Sequence, residues 1–237
     1  MGLDLAYLYS TFLLALGGLP ATLGICAATL LLSLPLGFVL ALVGIYRVRL
    51  LRRLASLYVS FARGTPVVLQ ILVVYSLLPS LANAIAVKAG WSVDIFSLNP
   101  AWYAIAVFSF NTTAVLTEIV RSAILTVDRG QLEAALASGL STRQAYSRIV
   151  MPQALLVALP NLCNATINLI KGTSLAFLMA VRDVTAIAKI EAARSYNYIE
   201  SYLAIFVIYL IVCGATQALF TVVERRLGIY RAPAVSF

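Results

Sequence analysis

Histidine is absent from this chain of 237 residues, and only three cysteines are present. Cys26, Cys163 and Cys213 are far apart in the sequence, and none belongs to a CxxC pair. Because metal and redox sites need clustered cysteine, histidine or carboxylate side chains, this scarcity argues against either kind of site. The chain also lacks a GxxxxGK[ST] phosphate-binding loop and the serine–histidine, cysteine–histidine and HExxH patterns of hydrolases. We therefore expect neither an enzyme nor a metal site.

Charged residues are scarce as well, at 11% of the chain, whereas hydrophobic residues make up 62%. Soluble domains do not reach this apolar content. Because an unpaired charge inside a bilayer is costly, charge-free runs of about 20 residues mark membrane-spanning helices. Five spans are predicted, at residues 21–46, 64–87, 95–117, 153–170 and 201–223. The predicted fold is all-α and polytopic, with a single membrane domain over residues 1–237.

The first charge-free run, residues 5–46, is too long for one ordinary span. Gly17, Gly18 and Pro20 lie near its start, where they favour a break in the helix. Residues 5–20 are therefore predicted to form an amphipathic or re-entrant segment ahead of the first span. Pro35 is expected to bend that span.

Basic residues are distributed unevenly around the predicted spans. With the N-terminus outside, the inner segments contain Arg47, Arg49, Arg52, Arg53, Arg63, Arg121, Arg129, Arg143, Arg148, Arg225, Arg226 and Arg231. The outer segments contain Lys88, Arg182, Lys189 and Arg194. Because cytoplasmic loops are enriched in lysine and arginine, the N-terminus is predicted outside and the C-terminus in the cytoplasm. The net charge of +8 then reflects membrane topology, and no nucleic-acid partner is expected.

The inner segment at residues 126–152 is polar and rich in small residues. Asp128 is a suitable N-cap for a short helix, and Gly139 stands where a left-handed residue would end it. Ser141 and Gln144 have the spacing of a capping box that begins a second helix, which Pro152 is expected to stop. The segment is therefore predicted to be a helical hairpin. It is either an ordinary amphipathic loop or a surface that fits a groove on a partner.

The spacing of this hairpin resembles a known signature. Glu133-Ala134-Ala135, three residues, Gly139, nine residues, Ile149, one residue and Met151-Pro152 is similar to the EAA motif of bacterial ABC-importer permease subunits. Met151 replaces the usual leucine. The resemblance implies a type I ABC importer permease fold in which this loop forms the coupling helix that docks on a separate ATPase. The ATPase-coupling residues it implies are Glu133, Ala134, Ala135 and Gly139.

Further matches indicate the type of importer. Five short segments resemble, in the order in which the family has them, the RGTPxxxQ, E-I-x-R, KGQ, PQA and KDTSL elements of polar-amino-acid permeases. In the same order, these segments are residues 63–70, 118–121, 129–131, 152–154 and 171–175. The family serves histidine, arginine, glutamate, glutamine, cystine and opines. Gly172 stands where that family commonly has aspartate, which leaves the particular amino acid open.

The resemblance also implies partners and a location. The chain would work in membrane lipid in the bacterial cytoplasmic (inner) membrane, beside an identical or homologous second permease subunit. Two ABC ATPase subunits, which hold ATP and magnesium, would dock from the cytoplasm, and an extracytoplasmic amino-acid-binding protein would dock from outside. No cofactor is expected on this chain.

Candidate residues of a substrate path lie at two positions along the chain. Arg63, Thr65 and Gln70 flank Pro66, where free backbone amides at a helix break would suit a carboxylate. The same Gly-Thr-Pro segment is also an ordinary way to begin a helix. Lys171 and Thr173 end a polar run in the fourth span.

That polar run contains Asn161, Asn164, Thr166 and Asn168 before Lys171. Polar groups at membrane depth often mark a transport pathway, and they also form structural hydrogen-bond networks between helices. Glu118 lies at the inner end of the third span, with Arg121 three residues further on. This pair is either part of the path or an interfacial ion pair.

The predicted function is the uptake of polar amino acids by alternating access, driven by ATP hydrolysis on a partner chain. An ion-coupled secondary amino-acid transporter is the alternative. Secondary transporters are commonly built from paired repeats, and we find no second copy of the span pattern in the sequence.

Overall fold

A computed structural model describes residues 3–46, 49–91 and 95–228, and these residues form helices without a β-strand. Five helices in this part are long and apolar enough to cross a membrane, as predicted. They are α2 (Leu19–Ile45), α4 (Val67–Lys88), α5 (Ala101–Thr126), α8 (Met151–Thr173) and α10 (Tyr198–Gly228). Arg47 and Arg231, which contribute to the predicted orientation, lie outside the described residues.

Four shorter helices accompany the spans: α1 (Leu5–Leu16), α3 (Arg49–Gly64), α6 (Arg129–Ala137) and α9 (Val184–Ser195). The predicted segment before the first span is helix α1. Asp4 is its N-cap, and the Asp4 side chain accepts a hydrogen bond from the Tyr7 N–H. The Asp4 N–H also donates to Glu200 Oε1 over 3.2 Å, at the start of α10. Helix α1 packs on α9 and α10, so the N-terminal segment belongs to the folded bundle.

The third span differs most from its predicted bounds. It begins at Ala101 and continues through Glu118 and Arg121 to Thr126, whereas a span over 95–117 was expected. Charge did not end this helix, because the Arg121 guanidinium contacts Glu118 Oε2 at 2.8 Å within the same helical face. A charged pair one turn apart is compatible with helix continuation.

Helix α5 is the centre of the bundle and packs against α2, α8 and α3. Its buried residues include Tyr103, Val107 and Phe108, which contact buried residues of α2 and α8 such as Ile25 and Leu169. Burial of these side chains supplies the main apolar contribution to the packing of α5 against α2 and α8. The helices around α5 leave their remaining faces exposed.

Helix α3 was not predicted, because its four arginines place it outside the charge-free runs. Ala55, Val59 and Ala62 form its buried face. Residues at these spacings share one side of a helix, and small side chains there allow close packing on α5. Arg63 therefore ends α3 and does not begin the second span.

The hairpin between α5 and α8 follows the predicted local structure up to its second helix. Asp128 Oδ1 accepts a hydrogen bond from Gly130 N over 2.7 Å at the start of α6. Gly139 has a φ of +85°, and the Leu140 N–H donates to Ala135 O beyond the helix end. Ser141 and Gln144 form a capping box, which begins a short helix, α7 (Thr142–Ala145).

Pro152 does not stop this second helix, contrary to the prediction. A π-helical turn at Tyr146–Val150 connects α7 to α8, and the whole segment Thr142–Thr173 forms one spanning helix. The Met151 N–H donates to Tyr146 O, a bond one residue longer than the α-helical pattern. Pro152 then occupies the first turn of α8, where its missing N–H is tolerated.

The connection from α8 to α9 contains a fully buried carboxyl group, Asp183. Its Oδ1 accepts a hydrogen bond from Ala186 N over 2.8 Å and caps α9, whereas Oδ2 has no partner among the described residues. Burial raises the pKa of the Asp183 carboxyl above its ordinary value, and the backbone N–H of Ala186 opposes that rise.

Candidate functional site

The polar run of the fourth span lies on one exposed face of α8. Asn161, Asn164, Asn168 and Lys171 are all exposed, and their spacings of three, four and three residues align them along the helix. We call these four residues the polar stripe. None of the four makes a side-chain hydrogen bond within the part of the chain that the structure describes. Thr166 lies off this face, and its hydroxyl donates to Leu162 O over 2.8 Å.

A small cavity of about 140 Å³ adjoins the polar stripe where α4, α5 and α8 meet. Its polar lining consists of Asn168 from the stripe and of Asn111 and Thr112 from α5. Asn111 Nδ2 also donates to Ala62 O at 3.2 Å, which connects α5 to the end of α3. Asn111 is not among the predicted path residues, although an asparagine in the middle of a charge-free span is a usable signal.

The break between α3 and α4 is held by hydrogen bonds between its own residues. Gln70 Nε2 donates to Ala62 O at 2.9 Å and to Thr65 Oγ1 at 2.7 Å. The Thr65 hydroxyl in turn donates to Phe61 O at 2.9 Å. Gln70 Oε1 is buried and has no partner among the described residues. Thr65 and Gln70 are thus brought together, with their hydrogen-bond donors used inside the break.

Arg63 and Glu118 are brought together in a second cavity, of about 470 Å³, between α2, α3 and α5. We call it the inner cavity; Arg52 and Arg121 also line it. Glu118 Oε2 accepts from Arg121 Nη2 at 2.8 Å and from Nε at 3.1 Å, so the two side chains form an ion pair in the wall of this cavity. The cavity therefore combines one neutralised carboxylate with further arginines.

Thr173 and Lys171 occupy different environments although they are two residues apart. Thr173 is fully buried, and its hydroxyl donates to Ile170 O over 2.6 Å. Lys171 is exposed at the end of the polar stripe. The six predicted path residues thus form three groups: the helix break, the inner cavity and the end of α8.

The hairpin exposes most of the residues predicted to couple to an ATPase. Glu133 and Ala134 are exposed on α6, as is Gly139 in the turn, whereas Ala135 is buried against the body of the chain. The main-chain bond from Leu140 to Ala135 fixes the turn. Glu133 thus presents an exposed carboxylate beside the small side chain of Ala134.

Comparisons with known proteins agree with this architecture. The L-cystine transport system permease protein TcyL of Bacillus subtilis (strain 168) is 37% identical over 209 residues, which cover 88% of this chain and 85% of that protein. The probable amino-acid ABC transporter permease protein PatM of Vibrio harveyi is 36% identical, over 88% of this chain and 89% of that protein. The crystal structure of an amino acid ABC transporter with histidines matches with a TM-score of 0.79 and 26% identity, over 95% of this chain and 100% of that chain.

The family model for the "Binding-protein-dependent transport system inner membrane component" matches residues 33–229. This match covers four of the five spans in full and residues 33–45 of the first, together with the hairpin. The resemblance drawn from the sequence motifs and the predicted permease fold are therefore confirmed. The chain belongs to the family of binding-protein-dependent transport system inner membrane components, as a multi-pass permease subunit of the amino-acid ABC importer type.

Proposed function

We propose that this chain imports polar amino acids by alternating access and is driven by a separate ATPase that contacts the hairpin. The observation that carries this proposal is the polar stripe, because three asparagines and a lysine form an exposed face on a membrane-spanning helix. Each polar group left without a partner in an apolar medium costs about 1–3 kcal/mol. The stripe therefore requires a protein or aqueous surface, and lipid does not satisfy it.

A second permease subunit, identical or homologous, would supply that surface. Two chains facing each other through their α8 helices would enclose a path between them. Polar residues at membrane depth commonly face such a path. The cavity with Asn111 and Asn168 would widen it towards α5.

The predicted path residues have distinct roles in this arrangement. Lys171 pairs with the carboxylate of the amino acid, because a carboxylate at membrane depth needs a cation or several donors. Thr65 and Gln70 keep the break between α3 and α4 in shape, and Thr173 holds the end of α8. Arg63 and Glu118 set the charge at the inner exit.

The coupling step would use the hairpin as a lever. Glu133, Ala134, Ala135 and Gly139 form the tip that would dock on the ATPase, which holds ATP and magnesium. One continuous helix, Thr142–Thr173, connects this tip to Lys171. Movement of the tip would therefore displace the polar stripe directly, and two states of the ATPase dimer would give two states of the path.

The outer surface would receive an extracytoplasmic amino-acid-binding protein. Helix α9 exposes Arg194, which pairs with Glu191 at 2.9 Å, and Lys189 lies over the Phe177 ring at 3.9 Å. This mixture of charges suits contact with a soluble protein.

The test is reconstitution of the chain with its ATPase and binding protein in liposomes, using labelled cystine, arginine, glutamine and histidine. Uptake of at least one amino acid should require ATP inside and the binding protein outside, and it should persist when ionophores collapse ion gradients. Uptake driven by an ion gradient without ATP would instead establish the secondary-transporter mechanism.

A further inference from the structure

Helix α3 carries a row of hydrogen-bond donors on one side. Arg52, Ser56, Ser60 and Arg63 lie at spacings of four, four and three residues, and all four line the inner cavity. Such spacings place side chains along one face of a helix. Among the described residues that line the cavity, the one carboxylate is that of Glu118, across from α3, and it already pairs with Arg121. Arg52 and Arg63 have no carboxylate within ion-pair distance among the described residues.

The same helix carries a second, apolar row. Leu50, Leu54, Leu57 and Phe61 are each more than half exposed, and their spacings of four, three and four residues also define one helical face. Helices with basic and apolar faces of this kind lie at the boundary between lipid headgroups and acyl chains. A ligand that satisfies both rows needs an anionic head and an apolar tail.

The cationic end of the cavity also lies next to the hairpin. A neighbouring cavity of about 600 Å³ shares Gly44, Arg52 and Arg121 with the inner cavity and extends to Glu133. Gly44 has no side chain, which leaves room beside the two guanidinium groups. An anion held between Arg52 and Arg121 would therefore lie at the base of α6.

From these rows and cavities we infer that the inner cavity binds the phosphate of an anionic phospholipid between Arg52 and Arg121, with its acyl chains along the exposed apolar row of α3. The two guanidinium groups and the Ser56 hydroxyl supply charge-assisted donors for the phosphate. A free phosphate would use the donors but leave the apolar row exposed, which is why the lipid is the favoured source.

The experiment measures phospholipid retained by the purified full chain, and it requires no transport activity. Detergent-solubilised chain is mixed with phosphatidylglycerol or phosphatidylcholine, and bound lipid is counted by native mass spectrometry. We expect phosphatidylglycerol to be retained preferentially. Arg52→Gln should reduce that retention about fivefold, because one arginine near a membrane surface contributes about that factor.

Arg148→Gln is the matched control, because Arg148 is an exposed arginine of the hairpin segment and lines neither the inner cavity nor the neighbouring one. It should retain phosphatidylglycerol like the wild type, and Arg52→Lys should retain more than Arg52→Gln. Equal losses in Arg52→Gln and Arg148→Gln would overturn the site and leave only general attraction to the charged surface. If soluble glycerol phosphate displaces the lipid at millimolar concentration, the site binds a free anion and the proposal of a lipid ligand is wrong.

The lipid site shares the inner cavity with the path residues Arg63 and Glu118, but its experiment fails separately from the test of transport. If phosphatidylglycerol binds as expected but ATP does not drive uptake, only the transport mechanism fails. If uptake requires ATP but both glutamine variants retain lipid equally, only the lipid site fails.

Discussion

Gly18 lies so close to Asp183 that a Cβ atom on the glycine would be 2.3 Å from the backbone carbonyl carbon of Asp183. This contact joins the beginning of the first span to the beginning of α9. Because main-chain atoms on both sides meet there, no side-chain rotation relieves the clash.

Gly18→Ala should therefore destabilise the fold by about 1–3 kcal/mol, the usual effect of overpacking. Thermal unfolding of the detergent-solubilised chain measures it as a lower midpoint. Gly24→Ala is the control, because a Cβ at Gly24 meets no atom within 4 Å. Equal midpoints for the two variants would show that the contact with Asp183 is looser than described.

Asp183 should make stability depend on pH. Its raised pKa means that the folded state binds the proton more tightly than the unfolded state. Its contribution is therefore most favourable at acid pH and is lost as pH rises through the unfolded pKa towards the folded one. Asp183→Asn removes this dependence, so its unfolding midpoint should exceed that of the wild type near pH 8. The difference between the two midpoints should be smaller near about pH 4. Parallel profiles for the two proteins would contradict the argument.

Gly139 should be essential for coupling because of its backbone conformation. At a φ of +85°, with no atom within 4 Å of an added Cβ, a side chain costs energy only through the backbone. Gly139→Val should cost about 1–3 kcal/mol in the turn and abolish ATP hydrolysis stimulated by substrate. Gly139→Asn tolerates the left-handed region better and should retain more stimulation. Normal stimulation of ATP hydrolysis in the Gly139→Val variant would show that coupling does not need this turn.

Lys171 should be required for uptake and not for assembly. Lys171→Met keeps much of the side-chain volume and removes the charge, so labelled amino-acid uptake should decrease about tenfold or more. Basal ATP hydrolysis and subunit assembly should stay at wild-type values. Lys88→Met is the control for loss of one lysine, because Lys88 is exposed in the last turn of α4 and is not one of the path residues. Undiminished uptake by Lys171→Met would assign the carboxylate site to other residues.

The orientation of the chain can be tested with single cysteines. Ala89, exposed at the end of α4, is a suitable labelling site on the predicted outer side. In a background without Cys26, Cys163 and Cys213, Ala89→Cys should react with an impermeant maleimide in intact cells. Ala137→Cys, on α6, should react only after permeabilisation. The reverse pattern would place the hairpin outside and exclude its contact with a cytoplasmic ATPase.

Local signals predicted the hairpin well because caps depend on residues only a few positions apart. Asp128, Gly139 and the Ser141–Gln144 pair all act as the sequence indicated. Pro152 was misread for the same reason. The local rule predicts that a helix ends before a proline, but a π-helical turn just before Pro152 allows the helix to continue through it.

Charge counting predicted the number of spans and failed where charges are paired or placed on one face. The Glu118–Arg121 pair permits α5 to continue, and the arginines of α3 conceal a helix whose other face is apolar. The alignment of Asn161 with Lys171 follows from helical spacing and was accessible from the sequence. The burial of Asp183 was not, because it depends on packing between segments far apart in the chain.

The π-helical turn at Tyr146–Val150 also affects the direction in which the hairpin points relative to the polar stripe of α8. A bond that spans five residues encloses one residue more than the α-helical pattern, and each α-helical residue turns the chain by about 100°. The number of residues between Ser141 and Asn161 therefore determines the direction in which the hairpin points relative to the stripe. A one-residue deletion in this turn would restore the α-helical pattern, whereas a one-residue deletion in the α-helical residues that follow it would rotate the tip by about 100°, more than a quarter of a revolution. Chain length in this short stretch is thus as much a determinant of docking as any side chain on the tip.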